Sequence, residues 1–336
     1  MRNTLILVFI LLSIVLTAGS CSETEDSGPN DSEVGGSDNN SGNDFDTSNN
    51  TDSENSDALA AGCDAANRMG TFSILLSDDY TGLSGSVMNG VTPSSVPEVI
   101  AESGTCALLG PRQLFCDPAC TALGETCGTE GVCVEAPTKQ DAGTVTVTGM
   151  NTDVSVSPNS ITSDYSLVIQ DPNPAFNAGA NLVLQAEGGV FSPFSLNGKG
   201  PSPMTTTATS VTVERGNPVT VTWDAGNVDG TQVHILLDVN VHGARTGWIV
   251  CDAADTGSFE IPEALVTPLI DLGLSGFPKI EISRRSIDTT TVGDGCVELI
   301  VYSQEKLEVV IPGLASCSDN SDCEAGQTCE EDLVCR

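Results

Sequence analysis

"TQVHILLDVNVHG", residues 231–243, decides the fold class. Val233, Ile235, Leu237, Val239 and Val241 are apolar at every second position, while His234, Asp238, Asn240 and His242 fall between them. Alternation of this kind is the period of a strand with one buried face, whereas a helix would repeat its apolar positions every three to four residues. The reading places His234, Asp238, Asn240 and His242 on the solvent-facing side. Their H-x3-D-x3-H spacing suggests a metal site. On a regular strand, however, the two histidines lie about 27 Å apart, too far for one ion to bridge. Neither a metal nor a cofactor is expected.

The same signal recurs on both sides of this stretch. "GTFSILLS" (70–77), "DYSLVIQD" (164–171), "NLVLQAEGG" (181–189), "PVTVTWDAG" (218–226), "KIEISRR" (279–285), "CVELIVYS" (296–303) and "KLEVVIPG" (306–313) are short and rich in Val, Ile and Thr. Gly, Pro, Asn and Asp bound them at hairpin spacing. The expected class is all-β, with antiparallel sandwich units, small disulfide-rich modules and one short helix. That helix is "PEALVTPLIDL", 262–272, with Pro262 at its first position and Pro268 limiting it to about two turns. Residues 59–142 are expected to form a β unit with a cysteine-rich insertion at 116–133, 143–205 a small β region, and 206–312 a sandwich. Residues 313–336 form a C-terminal disulfide module.

The chain of 336 residues holds 13 cysteines. Setting aside Cys21 leaves an even number, which in an exported chain reads as a set of disulfides. Cys63 and Cys106 stand apart near the start, and Cys251 and Cys296 stand apart in the second half. A Cys251–Cys296 bridge is expected to staple the 206–312 sandwich, leaving Cys63 with Cys106. This is not an antibody-type domain, because Trp223 and Trp248 both precede that cysteine pair instead of lying between its members. Cys116, Cys120, Cys127 and Cys133 form one cluster, and Cys317, Cys323, Cys329 and Cys335 another. The last four are separated by equal gaps of five residues with no nearby His, which disfavours a zinc site built from closely spaced pairs. These polar segments cannot build a core, so covalent bonds take its place.

"CSDNSDCEAGQTCEEDLVC" (317–335) resembles the C-x5-C-x2-G-x2-C-x5-C repeats of secreted myxobacterial and other deltaproteobacterial proteins, which are similar to the Dickkopf N-terminal cysteine-rich motif. "CDPACTALGETCGTEGVC" (116–133) is a second copy with a shorter first gap. Four cysteines allow three pairings, and sequence does not choose among them; first to third and second to fourth is the expectation in each copy. Residues 62–312 also resemble uncharacterised deltaproteobacterial lipoproteins, through "DYTGLSGSVMNGVTP" (79–93), "LFCDPAC" (114–120), "QDAGTVTVTGM" (140–150) and "CDAADTGSFEIPEAL" (251–265). That resemblance implies architecture and no activity.

The N-terminus bears on location. Arg2 precedes the apolar run "LILVFILLSIVL" (5–16), too short for a transmembrane helix and right for a signal peptide over residues 1–20. "AGSC" (18–21) resembles the lipobox of bacterial lipoproteins, with Ala18 where Leu is usual, and implies lipidation of Cys21. Several acyl chains would make a near-permanent anchor. Ser22 is compatible with sorting to the outer membrane. Residues 21–58 are acidic, carry no Lys or Arg and have almost no large apolar side chains. They read as a disordered tether.

The formal net charge of −34 excludes nucleic acid and anionic membrane surfaces as partners, since both require a basic footprint. "GLSGS" (82–86) fails the G-x-S-x-G pattern at its last glycine, and no phosphate- or dinucleotide-binding glycine loop is present. The nearest acid pairs are Asp78–Asp79 and Asp252 with Asp255, and neither forms a catalytic constellation. The expectation is therefore a non-enzymatic, lipid-anchored envelope protein, surface-exposed, that binds a protein or glycan ligand. The alternatives are an accessory hydrolase acting on carbohydrate or peptide, tested at Asp252 and Asp255, and a periplasmic scaffold.

Overall fold

The computed structural model describes residues 59–241 and 245–336. The expected signal peptide (1–20), the expected lipidation site Cys21, the expected tether (21–58) and His242 lie outside the described residues. The chain between is mostly strand: β1 (Arg68–Leu76), β2 (Thr81–Met88), β3 (Glu98–Ser103), β4 (Cys106–Gly110), β5 (Glu125–Cys127), β6 (Cys133–Glu135) and β7 (Lys139–Gln140) come first. Next are β8 (Val145–Thr148), β9 (Val154–Val156), β10 (Tyr165–Ile169), β11 (Asn181–Ala186), β12 (Phe194–Lys199), β13 (Ser210–Thr212) and β14 (Val219–Thr222). β15 (Gln232–Asp238), β16 (Trp248–Ala254), β17 (Ser258–Ile261), α1 (Glu263–Asp271), β18 (Lys279–Val292) and β19 (Gly295–Val310) complete it.

An 11-stranded sheet runs β10-β2-β1-β19-β18-β15-β16-β4-β3, with β13 on β19 and β7 on β2. Its spine is the β18–β19 hairpin, in register from Lys279↔Glu308 to Val292↔Gly295. Gly293, at φ +58°, begins the two-residue turn. "CVELIVYS" and "KLEVV" of the next stretch, read above as two strands, are one: the polar "QE" (304–305) between them continues the ladder. "KIEISRR" likewise runs on to Val292. Most pairs are antiparallel as expected, but β1 and β13 lie parallel to β19. Both are joined to it through long crossovers, which a parallel pair requires.

One face of the sheet covers two cores. The first lies beneath β1, β2, β10 and the N-terminal half of β19, against the four-stranded sheet β12-β11-β8-β9. Phe72, Ile74, Leu83, Leu184, Leu196 and Leu299 fill it. The second lies beneath β15, β16 and β18, against the β14–β17 ribbon and α1, and holds Ile235, Ile249, Ile282, Val221, Leu265 and Leu269. Pro262 caps α1 from outside its first turn, and Pro268 sits inside the helix. The helix buries Leu265, Val266, Leu269 and Ile270 on one face.

The lines drawn at 142/143 and 205/206 do not divide this sheet. β1 and β2 from 59–142, β10 from 143–205 and β15, β16, β18 and β19 from 206–312 all belong to it. Even the 206–312 core takes Cys106 and Leu108 from β4.

The bridges are Cys63–Cys296, Cys106–Cys251, Cys116–Cys127, Cys120–Cys133, Cys317–Cys329 and Cys323–Cys335. The expected Cys251–Cys296 bridge is replaced, and so is the Cys63–Cys106 pairing it left. Cys251 sits on β16 and Cys296 on β19, with β15 and β18 between them. Three strand spacings are about 14 Å, twice the reach of a disulfide. Cys251 instead lies directly opposite Cys106 on β4, and Cys63 meets the start of β19. The C-terminal module docks on the loop after α1 through Gly276 N–H to Asp332 O and Phe277 N–H to Ser316 Oγ.

Candidate functional site

The sheet face away from the cores carries the site. Because side chains alternate across a strand, the residues that interleave with the core positions project there: Thr71 and Ser73 from β1, Ser84 from β2, His234 from β15, and Ser283 and Arg285 from β18. They floor a cleft of about 610 Å³ that crosses β2, β1, β19, β18, β15 and β16. Thr92 and Lys139 help to wall it at one end and Arg245 at the other.

"SRRS" (283–286) shows how the face is built. Arg284 and Arg285 are consecutive, so they leave opposite sides of β18, and both are almost fully buried. Arg284 points inward and is saturated. Its Nε meets Asp255 Oδ2 at 2.5 Å, its Nη1 donates to Pro203 O at 2.6 Å, and its Nη2 donates to Asp224 O and Asp255 Oδ1. Trp223 Nε1 donates to the same carboxylate at 2.8 Å. Arg285 lines the cleft and has one partner, Asp252 Oδ1, at 2.6 Å from Nη2. Its Nε and Nη1 are the only buried side-chain nitrogens or oxygens without a hydrogen-bond partner among the described residues.

Asp252 also bonds His234 Nδ1, 3.0 Å away, directly across the β15–β16 ladder. Burial alone would raise the Asp252 pKa. The bond from His234 and the charge of Arg285 outweigh it and bring the value down to about 2. Burial pushes His234 below its ordinary value, and the neighbouring guanidinium adds to this, so the imidazole is neutral and donates through Nδ1. Burial raises the Tyr302 phenol to about 12, with Tyr80 and Glu281 adding to it.

His234, Asp238 and Asn240 were expected on a solvent-facing strand side, and all three are buried. β15 lies inside the sheet, between β18 and β16; His234 lines the cleft, whereas Asp238 and Asn240 are held by the segment that leads into β16. Asp238 accepts from Arg245 Nε at 3.0 Å, and Asn240 Nδ2 donates to Thr246 Oγ1 at 3.0 Å. The Arg245 guanidinium stacks over the Trp248 ring, 3.8 Å from its centroid.

Further ion pairs complete the setting. Glu298, fully buried, accepts from Arg68 and Thr71 through Oε1 and from the Cys63 amide through Oε2, each at 3.0 Å. Glu281 takes both Lys279, at 3.0 Å, and Lys306, at 3.2 Å. Lys139 meets Asp164 at 2.6 Å.

Asp252 and Asp255 were paired as candidate acids, but the structure separates them. Asp252 belongs to Arg285 at the cleft and Asp255 to Arg284 on the core side. Ser283 is the cross-strand neighbour of His234, yet its hydroxyl donates to the His234 backbone carbonyl, at 3.4 Å, and not to the ring. The sequence reading missed Arg285, Glu298 and Glu281, since charged residues at alternate strand positions look like a solvated face. A signal was present in "RR", which forces one arginine onto each side of a strand.

No protein-family model and no curated protein matches the chain. Among solved structures, the FN1–FN3 domains of chicken CNTN1 are similar over 67% of this chain and 71% of that one, at 8% identity and a TM-score of 0.17. A tetra-tandem repeat in the extending region of a large adhesion protein is similar over 74% and 76%, at 10% identity and a TM-score of 0.19. Scores this low carry no argument about fold or function.

Proposed function

We propose that this protein is a non-enzymatic binding module of a bacterial cell envelope, and that the cleft on its large sheet receives the ligand. The cleft carries the reading. Its volume lies in the range of small-ligand sites, it is floored by rigid strands, and it holds spare hydrogen-bonding capacity. Six disulfides suit an exported chain. The "AGSC" stretch supports lipid attachment at Cys21, and the acidic 21–58 segment supports a spacer between membrane and β body. Ser22 supports the outer membrane as destination.

Fractionation of cells making the Cys21→Ser variant tests the anchor. The expected result is a shift of the protein from the membrane to the soluble fraction, and a variant that stays in the membrane overturns the anchor. Protease shaving of intact cells then separates outward display from a periplasmic role: released peptides from 206–312 mean display.

A further inference from the structure

We infer that the cleft takes a small organic anion with an apolar body, its acid group directed at Arg285. This rests on the reading of the cleft as the binding site and names its ligand class.

The first argument is charge. Arg68, Lys139, Arg245 and Arg285 line the cleft, a third of the 12 lysines and arginines in the chain. Counted with their partners Glu298, Asp164, Asp238 and Asp252, and with Glu281 of the lining and the two lysines that hold it, Lys279 and Lys306, they make six positive charges against five negative. The chain as a whole carries −34. An anion is repelled almost everywhere else on this protein and is tolerated here.

Arg285 supplies the second argument. Its Nε and Nη1 are buried donors without acceptors, a costly arrangement for a charged group, while the neighbouring Arg284 shows that this fold can saturate an arginine fully. Nε and Nη1 lie on different edges of the guanidinium, so an acid group meets one of them together with the second Nη2 hydrogen, and either edge is a fork that matches a planar carboxylate or a sulfonate. Both donors lie beneath the cleft floor, so binding turns the guanidinium toward the cleft while Nη2 stays on Asp252.

The third argument is the apolar wall. Trp248, Val250 and Leu236 pack together on this side of the sheet and line the cleft near Arg245, and Ile300 adds a separate apolar position to the lining on β19. A purely ionic ligand would leave that wall wet, whereas an amphipathic one covers it.

Two fluorescent probes of one shape separate these contributions. 8-Anilinonaphthalene-1-sulfonate carries an acid group, and N-phenyl-1-naphthylamine is the same body without it. Both are titrated into the full chain, into Arg285→Lys, which keeps the charge on Asp252 but lacks the two spare donors, and into Ser84→Trp, which fills the cleft. The expected result is saturable sulfonate binding, tighter than the amine by about tenfold. That preference should vanish in Arg285→Lys, and both probes should be lost in Ser84→Trp. If Arg285→Lys does not fold by near-ultraviolet circular dichroism, the Lys139→Gln/Arg245→Gln double variant takes its place, and the preference should fall there too. Equal affinities in the wild type, or a preference unchanged in the arginine variant, overturn the anion inference and leave the cleft as a binding site. Binding of neither probe, or binding that survives Ser84→Trp, overturns both.

Discussion

At the scale of single residues, the polar face of the sheet is governed by burial. Asp252 holds one arginine and one histidine at once, and its pKa of about 2 lies below the unfolded value of 3.8. A carboxylate depressed in this way contributes stability that is fully present above about pH 4 and is lost as the pH falls through about 2. His234, held neutral by burial, acts at higher pH. Below about 6.5 the unfolded chain takes up a proton that the folded one refuses, so stability declines as pH falls through that value. Urea unfolding across pH should therefore show a first loss below about 6.5 and a second below about 4. In Asp252→Asn the Asp252 contribution to the second loss should be absent. The variant should also be destabilised by about 3–5 kcal/mol at pH 7, because Arg285 is left as an uncompensated buried charge. A variant as stable as the wild type would show that Arg285 is held by other means.

At the scale of elements, the long β18–β19 hairpin ties the two cores together, and the small sheets depend on it. The close approach of β8 to β11 shows how tightly they are fitted. Gly149 follows β8 at φ +88°, and a Cβ there would lie 1.9 Å from Asn181 O, at the start of β11. Both the backbone angle and the space demand glycine. Gly149→Ala should cost about 2–4 kcal/mol, measured by urea unfolding, as the combined effect of strain and a displaced strand end. Gly179→Ala is the control. Its φ is also positive, at +80°, but nothing lies within 4 Å, so it should cost only about 1 kcal/mol. Equal costs at the two positions would show that the β8–β11 contact yields easily.

At the scale of the whole molecule, the bridges divide into two kinds. The four within the cysteine clusters close short loops and hold segments that have no core of their own. Cys63–Cys296 and Cys106–Cys251 close loops of 233 and 145 residues and fasten separate parts of the chain to the large sheet. Cys63 also donates its amide to Glu298, so this bridge and the buried Arg68–Glu298 pair secure the same corner. The Cys63→Ser/Cys296→Ser variant should lose roughly 2–5 kcal/mol, and its 59–67 segment should become the first site of limited proteolysis. A variant with unchanged proteolysis would mean that the hydrogen bonds around Glu298 hold the corner unaided.

Much of this was legible in the sequence. Alternating Val, Ile and Leu mark most of the strands, because the two-residue period is local. Cysteine spacing likewise marks the two small modules. β12 escaped notice because "FSLNGK" lies in a Gly-, Pro- and Ser-rich stretch, and it is a strand only because β11 pairs with it. The polar side of β15 and β18 looked solvated because periodicity distinguishes two faces without telling what lies over them. The sequence by itself determined the all-β class, the helix at α1 and the need for disulfides. Only the tertiary structure decided which isolated cysteines meet, that three apparent units share one sheet, and that Arg285 sits at a cleft with donors to spare. Each of these depends on strand order, which is set by contacts between residues far apart in the chain and leaves no local signature.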